Sequence, residues 1–165
     1  MLRHRPELAG VELDAGGWVD VDALLAGLAA HGRPISREQL DRIVATNDKQ
    51  RFVVRGSRIR ASQGQSVPVD LGLGPVAPPQ VLFHGTPERN VAPILREGLR
   101  RGSRHHVHLS PDAATATRVG ARRGTPRVLA VDAAGMARDG WTFLRSENGV
   151  WLVDEVPPAY LRLTP

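Results

Sequence analysis

The residues of this chain best suited to chemistry lie between Val81 and Ser110, in the run VLFHGTPERNVAPILREGLRRGSRHHVHLS. A short apolar segment, Val81-Leu82-Phe83, turns at once into His84-Gly85-Thr86. A second, alternating segment presents His106-Val107-His108-Leu109-Ser110. Imidazole nitrogens and the hydroxyls of Thr86 and Ser110 can donate or accept hydrogen bonds. Gly85 has no side chain and lets a ligand approach the backbone closely. Two strands that each set a histidine beside a small hydroxyl residue describe the walls of one polar cleft. Read alone, a His-Gly-Thr tripeptide after a strand is more often an ordinary turn than a site.

Arginine supplies the second kind of chemistry. Of 22 basic residues only Lys49 is not arginine, and 17 acidic residues leave a formal net charge of +5. Where the arginines sit says more than their excess. Arg51 to Arg60 holds four without an acid, and Arg118 to Arg127 holds four more. Planar guanidinium forks suit phosphate oxygens, so both clusters can hold phosphates. A solvated charged face is the competing reading. The absence of cysteine excludes disulfides, zinc–thiolate sites and a thiol nucleophile. His105-His106-x-His108 has the look of a metal-ligand cluster, but alternation puts His106 and His108 on one strand face with no acidic partner near, which argues against a metal. No GxGxxG follows a strand, and the single lysine excludes a Walker motif.

The elements that must position these residues fall into two sets. Near the start, Pro6 ends a short helix at about His4 or Arg5, and an extended stretch follows. Gly16-Gly17 marks a turn before Trp18-Val19-Asp20-Val21. Asp20 or Asp22 then caps a helix over Ala23 to His31, with Leu24, Leu25 and Leu28 on one face and Gly32 as the stop. Ser36 with Gln39 reads as a capping box opening a second helix, with Leu40, Ile43 and Val44 as its stripe. Arg51 to Val54 and Arg58 to Ala61 form a hairpin around Gly56-Ser57. Helices followed by a two-stranded wing describe a winged-helix module, common among nucleic-acid-binding proteins.

Residues 67–80 carry four prolines and two glycines without helical period and read as a semi-rigid linker. The second set runs from Val81 to Pro165. It predicts a helix around Asn90 to Leu95, stopped by Gly98 or Gly102. The HVHLS strand comes next, then a helix over Asp112 to Val119 with Ala113, Ala114, Ala116 and Val119 inward. A strand over Arg127 to Asp132 precedes a short helix, Ala133 to Arg138. Trp141 to Arg145 and Gly149 to Val153 pair through an Asn148-Gly149 turn, and Tyr160 to Leu163 is a final strand. Many short strands with few helices argue an α+β fold. At 165 residues the chain holds one medium domain or two small lobes. No apolar run approaches the roughly 20 residues needed to span a bilayer, and no basic-then-apolar leader is present. The expectation is a cytoplasmic monomer.

Taken in order, LRH-RPE, IRASQG, FHGT, HVHLS and ENGVWL resemble the RNA 2'-phosphotransferase family, Tpt1 in fungi and KptA in bacteria. The resemblance implies a winged-helix RNA-binding lobe over residues 1–66 and an ADP-ribosyltransferase-like, split-sheet NAD lobe over residues 81–165. It implies removal of an internal 2'-phosphate from RNA, such as one left at a splice junction, with NAD consumed as co-substrate and no metal. His84, Gly85, Thr86, His108, Leu109 and Ser110 match the residues that hold the nicotinamide and its ribose. Val150 falls at the position that is glutamate in many protein-modifying members of the wider fold; an apolar residue there argues against such an activity, with Glu147 nearby. Arg3, His4, Arg60 and Arg122 match the catalytic basic residues, with Arg123 the neighbouring candidate for the last. The implied course runs through an RNA 2'-phospho-ADP-ribose to 2'-hydroxyl RNA, nicotinamide and ADP-ribose 1'',2''-cyclic phosphate. The sequence departs from the family at Gln65, where histidine is frequent. Transfer of ADP-ribose to another acceptor (a nucleic-acid end, a small molecule or a protein) is the alternative, and a binding module with a decayed second lobe is a third reading.

Overall fold

A computed structural model of the chain describes residues 2–47, 50–62, 70 and 72–165. Gln65 and the start of the expected linker lie outside them. The fold is mixed α+β: five α-helices and several small antiparallel sheets among the described residues. The chain divides into two compact units, Met1–Gly72 and Leu73–Pro165. No helix among the described residues is long and apolar enough to cross a membrane.

In the first unit, residues 2–4 form a turn, and a 3-10 helix, Pro6–Ala9, follows. The expected helix ending at Arg5 is replaced because proline's fixed φ and missing N–H suit the first position of a helical turn, so Pro6 opens one instead of closing one. Strand β1 (Trp18–Asp20) leads into helix α1 (Val21–Ala30). Asp20 is the cap, its carboxylate accepting from the amides of Asp22 and Ala23. Helix α2 (Arg37–Ala45) opens with the expected capping box: Ser36 Oγ accepts from the Gln39 amide, and Gln39 Oε1 accepts from the Ser36 amide. Strands β2 (Phe52–Arg55) and β3 (Arg58–Ala61) form the hairpin. The wing has three strands, not two, because β1 adds to β3, giving the order β1-β3-β2. Val19, Ile59 and Val54 turn one face of this sheet onto a core with Val21, Leu24, Leu28 and Leu40.

In the second unit, β4 (Val81–Pro87) is followed by a 3-10 turn and α3 (Val91–Glu97). Gly98 ends the helix at φ +84°, a conformation suited to glycine. Next come β5 (Leu99–Arg100), β6 (Val107–Leu109), α4 (Ala113–Gly120), β7 (Pro126–Asp132) and α5 (Ala133–Arg138). The chain closes with β8 (Leu144–Arg145), β9 (Trp151–Val153), β10 (Glu155–Val156) and β11 (Leu161–Leu163). Two three-stranded sheets result, β11-β7-β4 and β6-β9-β8, and β10 pairs with β5 as a small clip. A lone antiparallel bridge between Phe83 and Ser110 joins the two sheets through β4 and β6.

Alternation then decides what each face does. Leu82, Leu129, Val131, Val107, Leu109, Trp151 and Val153 share one core with Met136 and Phe143. The opposite face of β4 and β7 receives α4. Only Ala116 and Gly120 of that helix are buried; Ala113, Ala114 and Val119 are exposed, contrary to the inward stripe read from the sequence. The contact with β4 is backbone against backbone, so the smallest residues face inward and the bulkier Val119 is turned out.

Candidate active site

The conformation of the His84-Gly85-Thr86 segment follows from its packing. Gly85 lies against helix α4, and a β-carbon there would fall inside the Ala116 carbonyl group. Glycine at this position is therefore required by the helix. Gly120, at the end of α4, packs in the same way against the backbone of Thr86, where an added β-carbon would sit 2.9 Å from the Thr86 nitrogen. The helix is thereby clamped across the tripeptide. Thr86 is buried, and its Oγ1 accepts from Asn90 Nδ2 at 3.4 Å.

Phe83 and Ser110 exchange both backbone hydrogen bonds, at 2.9 and 2.7 Å. Beyond that bridge the two strands form no ladder, and His84 takes over. Its Nδ1 lies 3.1 Å from the carbonyl oxygen of His108. Because a carbonyl only accepts, Nδ1 carries the proton and Nε2 keeps its lone pair. Burial holds the His84 pKa below the usual histidine value and the Arg104 charge adds to this, against the opposing effect of the bond to His108.

His108 is in a different situation. Its register partner is Leu152, so the pleat places its side chain opposite to Leu109 and on the far face from Leu82 and His84. Arg104 Nη1 lies 3.3 Å from His108 Nδ1. Arginine can only donate, so Nδ1 is the acceptor and Nε2 bears the hydrogen. The two histidines thus present complementary groups, an acceptor nitrogen on His84 and a donor nitrogen on His108. They sit on the two sides of the strand junction. His106 continues the β6 register to Asp154, whose Oδ1 lies 3.8 Å from its Nε2. An acidic partner is therefore present in space, although none stands near in sequence.

Val150 precedes β9, which pairs with β6. Its amide donates to Ser146 Oγ at 3.1 Å, and the Ser146 amide donates to the Val150 carbonyl at 2.9 Å. Ser146 is buried and also donates to Asn148 Oδ1 at 2.7 Å. The expected Asn148-Gly149 hairpin turn is thus built around Ser146, whose place in the connection is plain in the sequence but whose buried hydroxyl bonds are not. Glu147 is exposed on this turn.

Arg122 belongs to a 3-10 turn, Ala121–Arg123, that leaves the clamped end of α4. The backbone carbonyl of Arg123 accepts from Arg89 Nη1 at 2.7 Å. Arg122 and Arg123 are both exposed.

In the first unit, Arg3 is half-buried with its Nε shielded from solvent, and His4 is exposed in the turn before Pro6. Arg60 is buried at 6% exposure in the central strand β3, not on an edge. It stands opposite Trp18 in register, and its guanidinium carbon lies 4.6 Å from the centre of the Trp18 ring. Arg60 Nη1 also donates to the Gly16 carbonyl at 3.4 Å. A ring face attracts a cation without cancelling its charge. Trp18 was not singled out from the sequence, where an aromatic residue after a glycine turn carries no sign of its cross-strand partner.

The model of the family described as "RNA 2'-phosphotransferase, Tpt1 / KptA family" matches residues 1–155. A Streptomyces coelicolor protein named "Probable RNA 2'-phosphotransferase" is 61% identical over 161 residues, covering 98% of this chain and 88% of that protein. A protein of the same name from Trichormus variabilis is 54% identical over 164 residues, covering 98% and 90%. Another from Burkholderia pseudomallei is 52% identical over 164 residues, covering 98% and 89%.

Proposed function

This chain belongs to the RNA 2'-phosphotransferase, Tpt1 / KptA family, and on that premise we propose that it removes an internal 2'-phosphate from RNA with NAD as co-substrate. In this reading the first unit is a winged-helix RNA-binding lobe. The second is an ADP-ribosyltransferase-like lobe, in which the junction of β4 and β6 is the split of the sheet. The observation that carries it is the junction itself, where His84 spans from one strand to the carbonyl of His108 on the other.

The residues at the junction fit a nicotinamide ribonucleoside. A neutral His84, protonated on Nδ1, offers Nε2 as an acceptor for a ribose hydroxyl. His108 offers a donor, and Ser110 offers a hydroxyl on the same side as His108. Gly85, Thr86 and Leu109 fix the two backbones, whose peptide groups can bind the carboxamide. Val150 closes the third strand position with an apolar side chain that cannot serve as a general base, which supports an acceptor that brings its own nucleophilic oxygen.

A 2'-phosphomonoester is such an acceptor. Its oxygen attacks the anomeric carbon of the nicotinamide ribose, the carbon–nitrogen bond breaks, and nicotinamide leaves with the electron pair. The ribose O2'' then attacks phosphorus, the bond to the RNA 2'-oxygen breaks, and that oxygen takes up a proton. Products are 2'-hydroxyl RNA and ADP-ribose 1'',2''-cyclic phosphate. The family resemblance assigns Arg3, Arg60 and Arg122 to orienting the dianionic phosphate and stabilising charge as it is transferred, and His4 to moving a proton in either step. The neutral ring beside Arg60 supports this role, since Trp18 holds the guanidinium without neutralising it.

The test is to incubate the protein with NAD and a short RNA bearing one internal 2'-phosphate, without added metal, and to weigh the products. Loss of one phosphate from the RNA with appearance of the cyclic phosphate is expected. RNA left unchanged while NAD is consumed would overturn the reading in favour of another ADP-ribose acceptor.

A further inference from the structure

The sheet of the first unit has a polar face that the roles above use only in part. We propose that the arginine face around Trp18, with Arg55 and Arg58 at its exposed end, binds the sugar–phosphate backbone of the RNA strand flanking the 2'-phosphate. The identity of the ligand rests on the RNA 2'-phosphotransferase reading, whereas the location rests on the sheet.

Register assigns the face. Trp18 pairs with Arg60, Asp20 with Arg58, Val53 with Arg60, and Arg55 with Arg58. Paired residues share a face, so Trp18, Val53, Arg55, Arg58 and Arg60 lie together, opposite Val19, Val54 and Ile59 in the core. The guanidinium carbons of Arg60, Arg55 and Arg58 stand 4.6, 5.8 and 6.0 Å from the centre of the one Trp18 ring. Three like charges around one ring repel one another. The ring quadrupole offsets part of that repulsion, and an anion seated among them offsets more.

Among the described residues, the carboxylates of Asp14 and Asp20 face the cluster. Asp14 is ion-paired with Arg58, and Asp20 is committed to the cap of α1. Both partners of the Asp14–Arg58 pair are more than two-fifths exposed, and an exposed, solvent-screened pair of this kind contributes little. A phosphate can therefore take Arg58 from Asp14 at small cost. Burial grades along the face, from Arg60 at 6% exposure to the exposed Arg55 and Arg58. That gradient draws a path from the residue assigned to the 2'-phosphate outward to solvent, as a strand continuing past the modified nucleotide would need. Arginine beside an aromatic ring on an open sheet is a surface for single-stranded nucleic acid.

The experiment measures binding of a fluorescent single-stranded RNA of about 12 nucleotides by anisotropy across salt concentrations, with the full chain and with Arg55→Gln and Arg55→Gln/Arg58→Gln. Losing one charge-assisted phosphate contact is expected to weaken binding roughly tenfold and to reduce the salt slope by about 0.7 on a single strand. The double variant should lose about twice that slope. Melting temperatures show whether the variants fold. If they fold and bind RNA with the affinity and salt slope of the parent chain, the proposal is overturned. Phosphate release from the 2'-phosphorylated RNA is followed in parallel. A parent chain that binds RNA through Arg55 yet releases no phosphate would sink the enzymatic reading and leave this surface standing.

Discussion

Nδ1 of His84 lies 3.1 Å from the carbonyl oxygen of His108, at the point where β4 and β6 cease to pair. A ladder hydrogen bond is replaced there by a side chain, and the replacement fixes the tautomer of a residue that faces the proposed nicotinamide ribose. The same contact satisfies a carbonyl left over when the strands part, so the histidine is tied to stability as well as to binding.

His84 should make stability depend on pH. Burial lowers its pKa in the folded chain below the ordinary value of 6.5. The unfolded chain therefore binds the proton more readily, and protonation favours unfolding. The stabilising contribution is complete above about pH 6.5 and is lost as pH falls toward and through the lowered folded-state value. His106, also lowered by burial but opposed by the Asp154 charge, adds a weaker dependence of the same sign. Melting temperature should accordingly decline below about pH 6.5, and His84→Asn should be less stable than the parent but show a shallower decline. An equally steep acid decline in His84→Asn would show that the proton goes elsewhere.

Gly85→Ala should fail for a reason unrelated to ligand binding. The new methyl group would overlap the backbone of Ala116, and neither strand β4 nor helix α4 can yield without breaking hydrogen bonds. Overpacking commonly costs about 1–3 kcal/mol, and a backbone clash lies at or beyond the upper end. Circular dichroism melts would show a loss of several degrees or no cooperative unfolding. A Gly85→Ala chain with the parent's melting temperature and no NAD binding would instead mean that glycine serves the ligand.

Arg122 and Arg123 are neighbours in one 3-10 turn, yet they should differ in effect. The backbone carbonyl of Arg123 accepts from Arg89, and Gly124 follows at φ +143°, so the backbone is anchored on the Arg123 side. If Arg122 stabilises charge on the transferring phosphoryl group, Arg122→Ala should reduce the rate about 100- to 1000-fold, as for loss of one aimed donor. Arg123→Ala should cost only a few-fold. Single-turnover rates with saturating NAD and RNA distinguish them, and the reverse order would exchange the assignment.

Local signals in the sequence were legible where one residue decides the outcome. The Ser36–Gln39 capping box, the helix over Ala133 to Arg138, the Gly98 stop and the Asn148-Gly149 turn all appear. Pairings between distant segments were not. Strand β1 joins the wing over a separation of about forty residues, and the clip of β5 with β10 consists of two-residue strands too short to show alternation. The candidate site was legible by residue type, since its histidines, hydroxyls and arginines stand in recognisable tags. Its supports, Trp18, Arg104 and Ser146, act through partners that only the folded chain supplies. Gly85 was read as room for a ligand, and its packing against Ala116 is a second reason for glycine there that the sequence could not show, because a glycine in a strand does not say which side is crowded.

Arg60→Lys is the sharpest test of the proposed chemistry. Lysine keeps the positive charge but loses the planar fork and much of the stacking on Trp18. If Arg60 only needs to supply charge, phosphate release should survive within a few-fold. If it must orient the phosphoryl group, release should fall about 100-fold or more while affinity for NAD, whose proposed site lies in the second unit, stays near the parent value. Trp18→Phe should sit between the two, since a smaller ring still presents a face to the guanidinium. The informative measurement is product mass over time with 2'-phosphorylated RNA and NAD. Accumulation of RNA carrying ADP-ribose in Arg60→Lys would place the arginine in the second step, and a uniform slowing without that adduct would place it in the first. Parent-like release in both Arg60→Lys and Arg60→Gln would remove Arg60 from the site.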